Sequence, residues 1–228
     1  RIRDQGQADM MAGFATWHVV WHHRRMGDYV ANQATRTWDR SFRAPPPGRV
    51  RVGILGYGLM GQACARAIAA IGFPVLAARS SASTEQAPPG VRVIGGAGAI
   101  QAVAAQSDIL INTLPLTEAT RDLLDAALFA QMPRGAVLVQ IGRGEHLVEA
   151  DLLAALDSGQ LSAASIDVFR VEPPPDDHPF WGHPNILVTP HRASDTSRPE
   201  ILRQIAENYQ AVREGRRPPG IVDRASGY

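Results

Sequence analysis

A glycine-rich turn between an apolar strand and a small-residue helix is the feature that most constrains this chain. Residues 50–55 form an apolar run that leads into Gly-x-Gly-x-x-Gly at 56–61, and residues 62–71 have the small-residue pattern of a helix. In such a turn the first glycine permits the sharp change of direction, the second lets a pyrophosphate approach the backbone, and the third lets helix and strand pack closely. The pyrophosphate then binds free N–H groups at the helix start. The cofactor-binding residues predicted from this turn are Gly56, Gly58, Leu59, Met60 and Gly61.

The end of the next predicted strand carries an arginine where dinucleotide folds usually have an acidic residue. Arg79 lies 23 residues after Gly56, close to the position where a carboxylate binds the ribose hydroxyls of NAD. A guanidinium can instead pair with the 2′-phosphate of NADP, and the sequence Arg-Ser-Ser holds no carboxylate to repel it. The alternative is a solvated arginine at a strand end. We predict that Arg79, aided by the hydroxyl of Ser80 or Ser81, makes the chain prefer NADP(H) to NAD(H).

Composition limits the kinds of partner that the chain can bind. Its 228 residues are 45% apolar and 20% charged, with a formal net charge of +1, which allows a sizeable core in one or two domains. A charge near zero offers no general field for nucleic acid or an anionic membrane, and no apolar run approaches a membrane span. We therefore expect a protein that binds neither nucleic acid nor membrane. The single cysteine, Cys64, excludes an intramolecular disulfide. Because no signal peptide is visible, we also expect the protein to be cytoplasmic.

Strands and helices alternate from residue 50 onward. The predicted strands are 50–55, 74–78, 91–94, 109–113, 136–141, 163–167 and 186–189. The predicted helices in this part are 59–71, 97–105, 120–131, 148–157 and 197–214. This alternation is typical of an α/β fold with a doubly wound parallel sheet, the Rossmann dinucleotide-binding architecture. We assign residues 1–200 to this domain and residues 201–228 to a C-terminal helix and tail.

The first part of the chain is predicted to be one long helix at 9–37. A proline-rich linker at 43–49 follows this helix and prevents it from continuing. His18, His22 and His23 have a spacing that could suit a metal, but no nearby carboxylate or cysteine completes a site. We therefore interpret them as polar helix surface or interface and predict no metal. The helix also carries a broad apolar face with two tryptophans, and such faces usually mark an interface.

Ligands in doubly wound sheets bind beyond the carboxyl ends of the strands, so the residues that follow each strand are the candidates for chemistry. Arg143 lies between two glycines after an apolar strand and can form paired bonds to a small carboxylate or carbonyl group. His191 follows another strand and can exchange a proton near neutral pH. Glu172 can orient that imidazole and favour its charged form. The alternatives are a surface arginine and a histidine satisfied in the core.

Several of these motifs together resemble one enzyme family. They are Gly56-x-Gly58-x-x-Gly61, Leu114-Pro115-Leu116-Thr117, Gly142-Arg143-Gly144, Asp167-Val168-Phe169-x-x-Glu172-Pro173 and Thr189-Pro190-His191. The same motifs in the same order are found in the D-isomer-specific 2-hydroxyacid dehydrogenases. The helical opening, Arg79 and the ending at 222–228 most resemble the NADPH-dependent glyoxylate/hydroxypyruvate reductase branch.

The resemblance implies an NADPH-dependent reduction of small 2-keto acids such as glyoxylate or hydroxypyruvate. Arg143 would hold the 2-keto acid and polarise its carbonyl, His191 would protonate the new alkoxide, and Glu172 would keep His191 protonated until that step. The implied cofactor contacts are Leu114, Pro115 and Thr120 on the adenosine side, Ile141, and Asp167 at the nicotinamide amide. Family members also dimerise through the long helix, which implies a homodimer in which Trp38 reaches the substrate cleft of its partner.

The chain also departs from the family pattern. Members begin with a substrate domain before the long helix, so the resemblance implies that most of that domain lies outside this chain and that residues 201–228 are a remnant that returns to it. Gln140 stands where many members have asparagine, and Arg192 and Ser194 replace an apolar and a small residue after the histidine. These differences leave the reaction class intact and bear on substrate preference.

Two other functions are compatible with these motifs. The first is a D-lactate-type or 3-phosphoglycerate-type dehydrogenase, against which Arg79 argues, since those enzymes usually use NAD. The second is a non-catalytic, dinucleotide-sensing protein of the transcriptional corepressor kind, which can keep the same arginine, glutamate and histidine. Such a protein would be recognised by a partner-binding extension.

Overall fold

One parallel sheet organises the molecule in the computed structural model, which describes residues 4–81, 87–219 and 221. Its seven strands lie in the order β3-β2-β1-β4-β5-β6-β7, and every neighbouring pair is parallel. The strands are β1 Val52–Leu55, β2 Val75–Arg79, β3 Val91–Gly95, β4 Ile109–Asn112, β5 Ala136–Gln140, β6 Leu161–Ile166 and β7 Ile186–Val188. The order reverses at β1, which confirms the doubly wound sheet and all seven predicted strands within two residues.

Helices cover both faces of this sheet. They are α1 Gln5–His23, α2 Met26–Ala34, α3 Leu59–Ala70, α4 Ala99–Ala104, α5 Ala126–Gln131, α6 Glu149–Asp157 and α7 Arg198–Arg213. Val137 and Val139 of β5 face the cluster that includes α1 and α3, whereas Leu138 between them faces the cluster of α4, α5 and α6. Because both faces are buried, the strands read in sequence as continuous apolar runs, which is why they could be predicted.

The predicted single helix at 9–37 is wrong, because the structure divides this segment into α1 and α2. The break is at Arg25, whose φ of 52° is left-handed, and α2 begins at the next residue. Neither glycine nor proline precedes the break, so the sequence carries no ordinary stop signal there. The linker at 43–49 also contains a short 3₁₀ turn at Pro47–Arg49, which the sequence did not predict.

The interpretation of the histidines of this helix as polar surface or interface is also wrong for His18. His18 is fully buried, and its Nδ1 lies 2.8 Å from the Ser165 hydroxyl of β6. The same hydroxyl lies 2.7 Å from Nε2 of His22. The two imidazoles therefore join α1 to the sheet. Among the residues that the structure describes, no group of three or more metal-binding side chains is found.

One helix begins later than the sequence predicts. The helix predicted at 120–131 begins only at Ala126, because the Asp125 side chain caps it by accepting a bond from the N–H of Leu128 at 2.8 Å. The proposed domain boundary at residue 200 falls inside α7. The ending at 222–228 lies outside the described residues. None of the helices in the described ranges is long and apolar enough to cross a membrane.

Candidate active site at the carboxyl edge of the sheet

The glycine turn has the shape that a dinucleotide requires. A Cβ on Gly61 would lie 1.9 Å from the carbonyl oxygen of Gly56, so only glycine lets α3 approach the end of β1 this closely. Gly56 itself has a φ of +96°. A Cβ on Gly58 would meet no heavy atom within 4 Å, so the protein's own packing does not demand a glycine there. The open face at Gly58, beside the first N–H groups of a twelve-residue helix, fits a pyrophosphate.

The end of β2 lies directly beside this turn. Leu55 pairs with Ala78 in the sheet, and the N–H of Gly56 donates to the carbonyl of Ala78 at 3.1 Å. Arg79 and Ser80 follow Ala78, with Arg79 partly buried and Ser80 exposed. The predicted 2′-phosphate residues are therefore neighbours of the predicted pyrophosphate turn.

His191 and Glu172 meet on the opposite side of the switch in strand order. Nδ1 of His191 lies 2.7 Å from Oε2 of Glu172, and both side chains are partly open to solvent. A carboxylate at that distance accepts the Nδ1 proton, which leaves Nε2 of the ring to exchange a proton with another molecule. The pairing that the sequence suggested between these two residues is confirmed.

The environment of Glu172 keeps it ionised. Partial burial acts to raise the pKa of this carboxyl, but the bond with His191 and the bond from the N–H of Phe169 at 2.9 Å outweigh it. The positive charges of His191 and Arg143 add to the lowering, so the pKa of Glu172 lies below its ordinary value. Glu172 is therefore an anion at neutral pH and can stabilise the charged imidazole.

Asp167 holds the loop that carries His191. Its carboxylate is buried and accepts bonds from the Thr189 hydroxyl at 2.6 Å and from the N–H groups of Arg192 and Ala193, both at 2.9 Å. Its carbonyl oxygen accepts the N–H of His191 at 2.8 Å. These bonds fix His191 in a left-handed backbone conformation, with a φ of 52°. The implied contact of Asp167 with a nicotinamide amide stays a prediction.

Arg143 projects from the turn after β5 toward the same edge. Its side chain is exposed, and its Nη1 donates to the carbonyl of Gly142 at 2.6 Å. A Cβ on Gly144 would lie 1.9 Å from the carbonyl oxygen of Phe169, so glycine there lets the arginine turn touch the segment that leads to Glu172. The guanidinium is near enough to lower the pKa of Glu172. The three predicted catalytic residues therefore share one region.

The remaining predicted residues lie in different environments. Leu114, Pro115 and Thr120 are partly buried after β4, and the Thr120 hydroxyl donates to the carbonyl of Pro115 at 2.8 Å. The side chain of Ile141 is buried in the core, and the cofactor contact that the resemblance implied for this residue stays a prediction. Trp38 lies after α2 and is 88% exposed.

Sequence reasoning missed the buried polar residues beneath this edge. Asn112, which ends β4, and His146, in the short 3₁₀ turn Gly144–His146, are both fully buried and hydrogen-bonded to each other at 2.9 Å. A polar residue that directly follows Ile109–Ile111 was a signal for Asn112, because such strand ends meet the ligand edge. No local pattern pointed to His146.

Comparisons with known proteins agree with this geometry. The family model of the NAD-binding domain of D-isomer-specific 2-hydroxyacid dehydrogenases matches residues 16–193. The chain is 37% identical to glyoxylate/hydroxypyruvate reductase A of Yersinia enterocolitica, over all of this chain and 72% of the relative.

Solved structures give the same result. A D-isomer-specific 2-hydroxyacid dehydrogenase from Xanthobacter autotrophicus, in complex with NADPH and MES, is 36% identical with a TM-score of 0.92, over all of this chain and 93% of that one. An NADPH-dependent glyoxylate/hydroxypyruvate reductase from Sinorhizobium meliloti, in complex with NADP and sulfate, is 34% identical with a TM-score of 0.92, over all of this chain and 72% of that one. The chain therefore belongs to the D-isomer-specific 2-hydroxyacid dehydrogenase family of NAD(P)-dependent oxidoreductases.

Proposed function

We propose that this protein reduces small 2-keto acids, such as glyoxylate and hydroxypyruvate, to 2-hydroxy acids with NADPH. The observation that carries the proposal is the 2.7 Å pair of His191 and Glu172 beside an exposed Arg143. A proton donor, its anionic partner and a cation for the substrate are the groups that reduction of a keto acid needs.

Each residue has a separate part in this reaction. The glycine turn at 56–61 would hold the dinucleotide, whose nicotinamide would supply a hydride to the carbonyl carbon. Arg143 binds the substrate carboxylate or carbonyl in a two-pronged contact and stabilises the negative charge that develops on the carbonyl oxygen. As the C–O double bond becomes single, Nε2 of His191 donates its proton to the oxygen, and the ring becomes neutral. Glu172 stabilises the charged ring before the transfer, and solvent returns the proton afterwards.

The direct test is steady-state oxidation of NADPH by the purified protein with a panel of 2-keto acids. Glyoxylate and hydroxypyruvate are expected to be reduced with a higher kcat/KM than pyruvate or 3-phosphohydroxypyruvate. Faster reduction of either of those two would instead support the D-lactate-type or the 3-phosphoglycerate-type function. Binding of NADPH with no turnover of any keto acid would support a dinucleotide-sensing protein.

Changing Arg79 to aspartate is expected to invert the cofactor preference. The 2′-phosphate would lose a charge-assisted contact, which contributes about 1.5–3 kcal/mol, or about one to two powers of ten in affinity. The new carboxylate can accept bonds from the ribose hydroxyls of NADH. We therefore expect NADPH to bind about 10- to 100-fold more weakly and NADH to reach parity or better, as measured by nicotinamide fluorescence titration.

Arg92→Asp is the matched control for Arg79→Asp. Arg92 is exposed on β3, where it pairs with Leu76 near the amino end of the neighbouring strand rather than at its carboxyl end. The Arg92→Asp substitution changes the net charge by the same amount as Arg79→Asp. We expect it to leave the ratio of the NADPH and NADH affinities unchanged. Equal binding of NADH and NADPH by the unchanged protein would show that Arg79 does not select the cofactor.

The exposed apolar side chains of the first two helices support a homodimer. Trp17 of α1 and Val30 of α2 are 48% and 58% exposed, and Trp38 follows them. An apolar surface of this kind usually marks an interface. We expect a dimeric mass by light scattering at micromolar protein and a shift toward monomer in Val30→Glu. A monomeric mass for the unchanged protein would contradict the dimer and, with it, a role of Trp38 in the partner's cleft.

A further inference from the structure

A buried polar network beneath Arg143 has no part in the chemistry above. Asn112, Gln140 and His146 come from three separate segments and are all fully buried. The amide nitrogen of Asn112 lies 2.8 Å from Oε1 of Gln140 and 2.9 Å from Nδ1 of His146. Buried polar groups of this kind are costly unless they are satisfied, so the geometry of the network is closely determined.

The contacts settle which nitrogen of His146 carries the proton. Oδ1 of Asn112 accepts the N–H of Leu114 at 3.1 Å, so the Asn112 amide nitrogen must face His146. Nδ1 of His146 also faces the N–H of Arg143 at 3.1 Å. Since two donors point at Nδ1, the ring proton is on Nε2, which lies 3.3 Å from the carbonyl of Pro115 and donates to it.

The network fixes the backbone of Arg143 from both sides. Its N–H donates to the His146 ring, and its carbonyl accepts a bond from Nε2 of Gln140 at 2.8 Å. The guanidinium itself is exposed and bonded only to the adjacent carbonyl of Gly142 among the described contacts. The buried side chains of Gln140 and His146 therefore hold the backbone from which this arginine projects. Among the described contacts, no oppositely charged side chain bonds to its guanidinium.

The same ring also fixes the turn after β4. The carbonyl of Pro115 accepts the Nε2 proton of His146 and the Thr120 hydroxyl, and Asn112 holds the N–H of Leu114. These residues form the predicted cofactor-side loop. One imidazole therefore bonds to both the arginine turn and the cofactor-side loop.

We propose that His146 is a positioning residue that sets the place of Arg143 relative to the cofactor-side loop. The proposal rests on the proposed function, in which Arg143 binds the keto acid. Burial lowers the pKa of His146, so the ring stays neutral and keeps the tautomer that both contacts need. A displacement of about 1 Å at a binding group can lower turnover by about a hundredfold.

The test compares two substitutions of His146. His146→Phe keeps an aromatic ring and removes the hydrogen bonds of the imidazole with Asn112, Arg143 and Pro115. His146→Asn restores an acceptor, because Oδ1 of asparagine is attached at the same carbon position as Nδ1 of histidine, but it cannot reach Pro115. We expect kcat/KM for glyoxylate to fall about 10- to 100-fold in His146→Phe, mainly through a higher KM for the keto acid, and to recover at least in part in His146→Asn.

A second readout does not depend on activity. Hydrogen exchange at the amide of Arg143 should become at least about tenfold faster in His146→Phe and return toward the original rate in His146→Asn, since that amide donates to the ring. Leu156→Ala, a buried position near the end of α6, is the control for general loss of stability. It should lower the Tm without raising the KM for the keto acid.

The outcomes separate the two proposals. The positioning role fails if the Arg143 amide exchanges no faster in His146→Phe than in the unchanged protein. It also fails if His146→Phe raises the KM for the keto acid no more than Leu156→Ala does. If His146→Asn fails to recover both KM and exchange, the acceptor at Nδ1 is not what matters, and the positioning role is overturned. If the unchanged protein reduces no keto acid, the proposed function fails, and accelerated exchange alone would not rescue the link to substrate binding.

Discussion

Replacing His191 with alanine is expected to lower kcat about 10²–10⁴-fold while the Kd for NADPH changes little. The substitution removes the proton donor, which is worth that factor in general acid–base catalysis. It leaves the glycine turn at 56–61 and the end of β2, which lie across the switch in strand order. Turnover with glyoxylate and fluorescence titration of NADPH measure the two quantities. Near-normal turnover in His191→Ala would remove this residue from the mechanism.

His191→Asn controls for damage to the loop. The residue has a left-handed φ of 52°, a conformation that asparagine adopts more readily than alanine. The Asp167 carboxylate holds the loop by accepting bonds from two backbone N–H groups and from the Thr189 hydroxyl, so these bonds remain. An equal loss of turnover in both variants would mean that the imidazole is required, whereas a much smaller loss in His191→Asn would mean that strain in the loop lowers the activity of His191→Ala.

Glu172→Gln gives an independent check on the carboxylate that bonds to His191. Glutamine keeps an oxygen that can accept the Nδ1 proton, but it carries no charge and no longer stabilises the charged ring. We therefore expect kcat to fall, though less than in His191→Ala, while the Kd for NADPH changes little. A turnover equal to that of the unchanged protein would mean that the negative charge of Glu172 is not needed.

The carboxyl edge of the sheet could be predicted because its signals are local. Strands buried on both faces are continuous apolar runs in the sequence. The residues that directly follow each run can therefore be assigned to the carboxyl edge of the sheet. Arg143 and His191, which follow β5 and β7, can be predicted in this way. The pairing of Glu172 with His191 followed from adjacent strand ends, since β6 and β7 are neighbours in the sheet.

The parts that the sequence did not predict depend on contacts between distant residues. Asn112 and His146 are 34 residues apart, and His18 and Ser165 are 147 apart. A histidine on a helix looks polar until the serine that satisfies it is known. The break at Arg25 also has no local signal, because arginine is not a residue that prefers the left-handed backbone found there.

Acid is expected to destabilise the fold through the buried histidine of α1. Burial and then the nearby charge of His22 lower the pKa of His18 from 6.5 to about 3. Between these two values the unfolded chain binds a proton that the native chain does not bind, so lowering the pH favours unfolding. The free energy of unfolding should fall by about 1.4 kcal/mol per pH unit from this residue alone, or roughly 3 kcal/mol between pH 6.5 and 4.

His18→Leu is the variant that isolates this effect. Leucine fills a similar volume, and Nε2 of His18 is buried without a hydrogen-bond partner among the described residues, so its removal leaves no new orphan there. The Ser165 hydroxyl keeps its bond with His22 in this variant. Burial lowers the pKa of His22 to about 4, so His22 also makes the free energy of unfolding fall as the pH is lowered. We expect urea unfolding from pH 8 to 4 to give a shallower decline in His18→Leu than in the unchanged protein.

Val19→Ala provides the comparison that makes the slope interpretable. Val19 is the neighbouring core residue of α1 and is fully buried, so its truncation should lower the free energy of unfolding by about 2 kcal/mol at every pH. That curve should run parallel to the original one, because no titrating group is lost. The carboxylates are the same in all three proteins and contribute equally to the pH dependence of unfolding. The difference in slope between His18→Leu and the other two proteins therefore reports on His18. If His18→Leu keeps the original slope, the histidine is not buried in its neutral form, and the contact between α1 and Ser165 is not what makes this fold sensitive to acid.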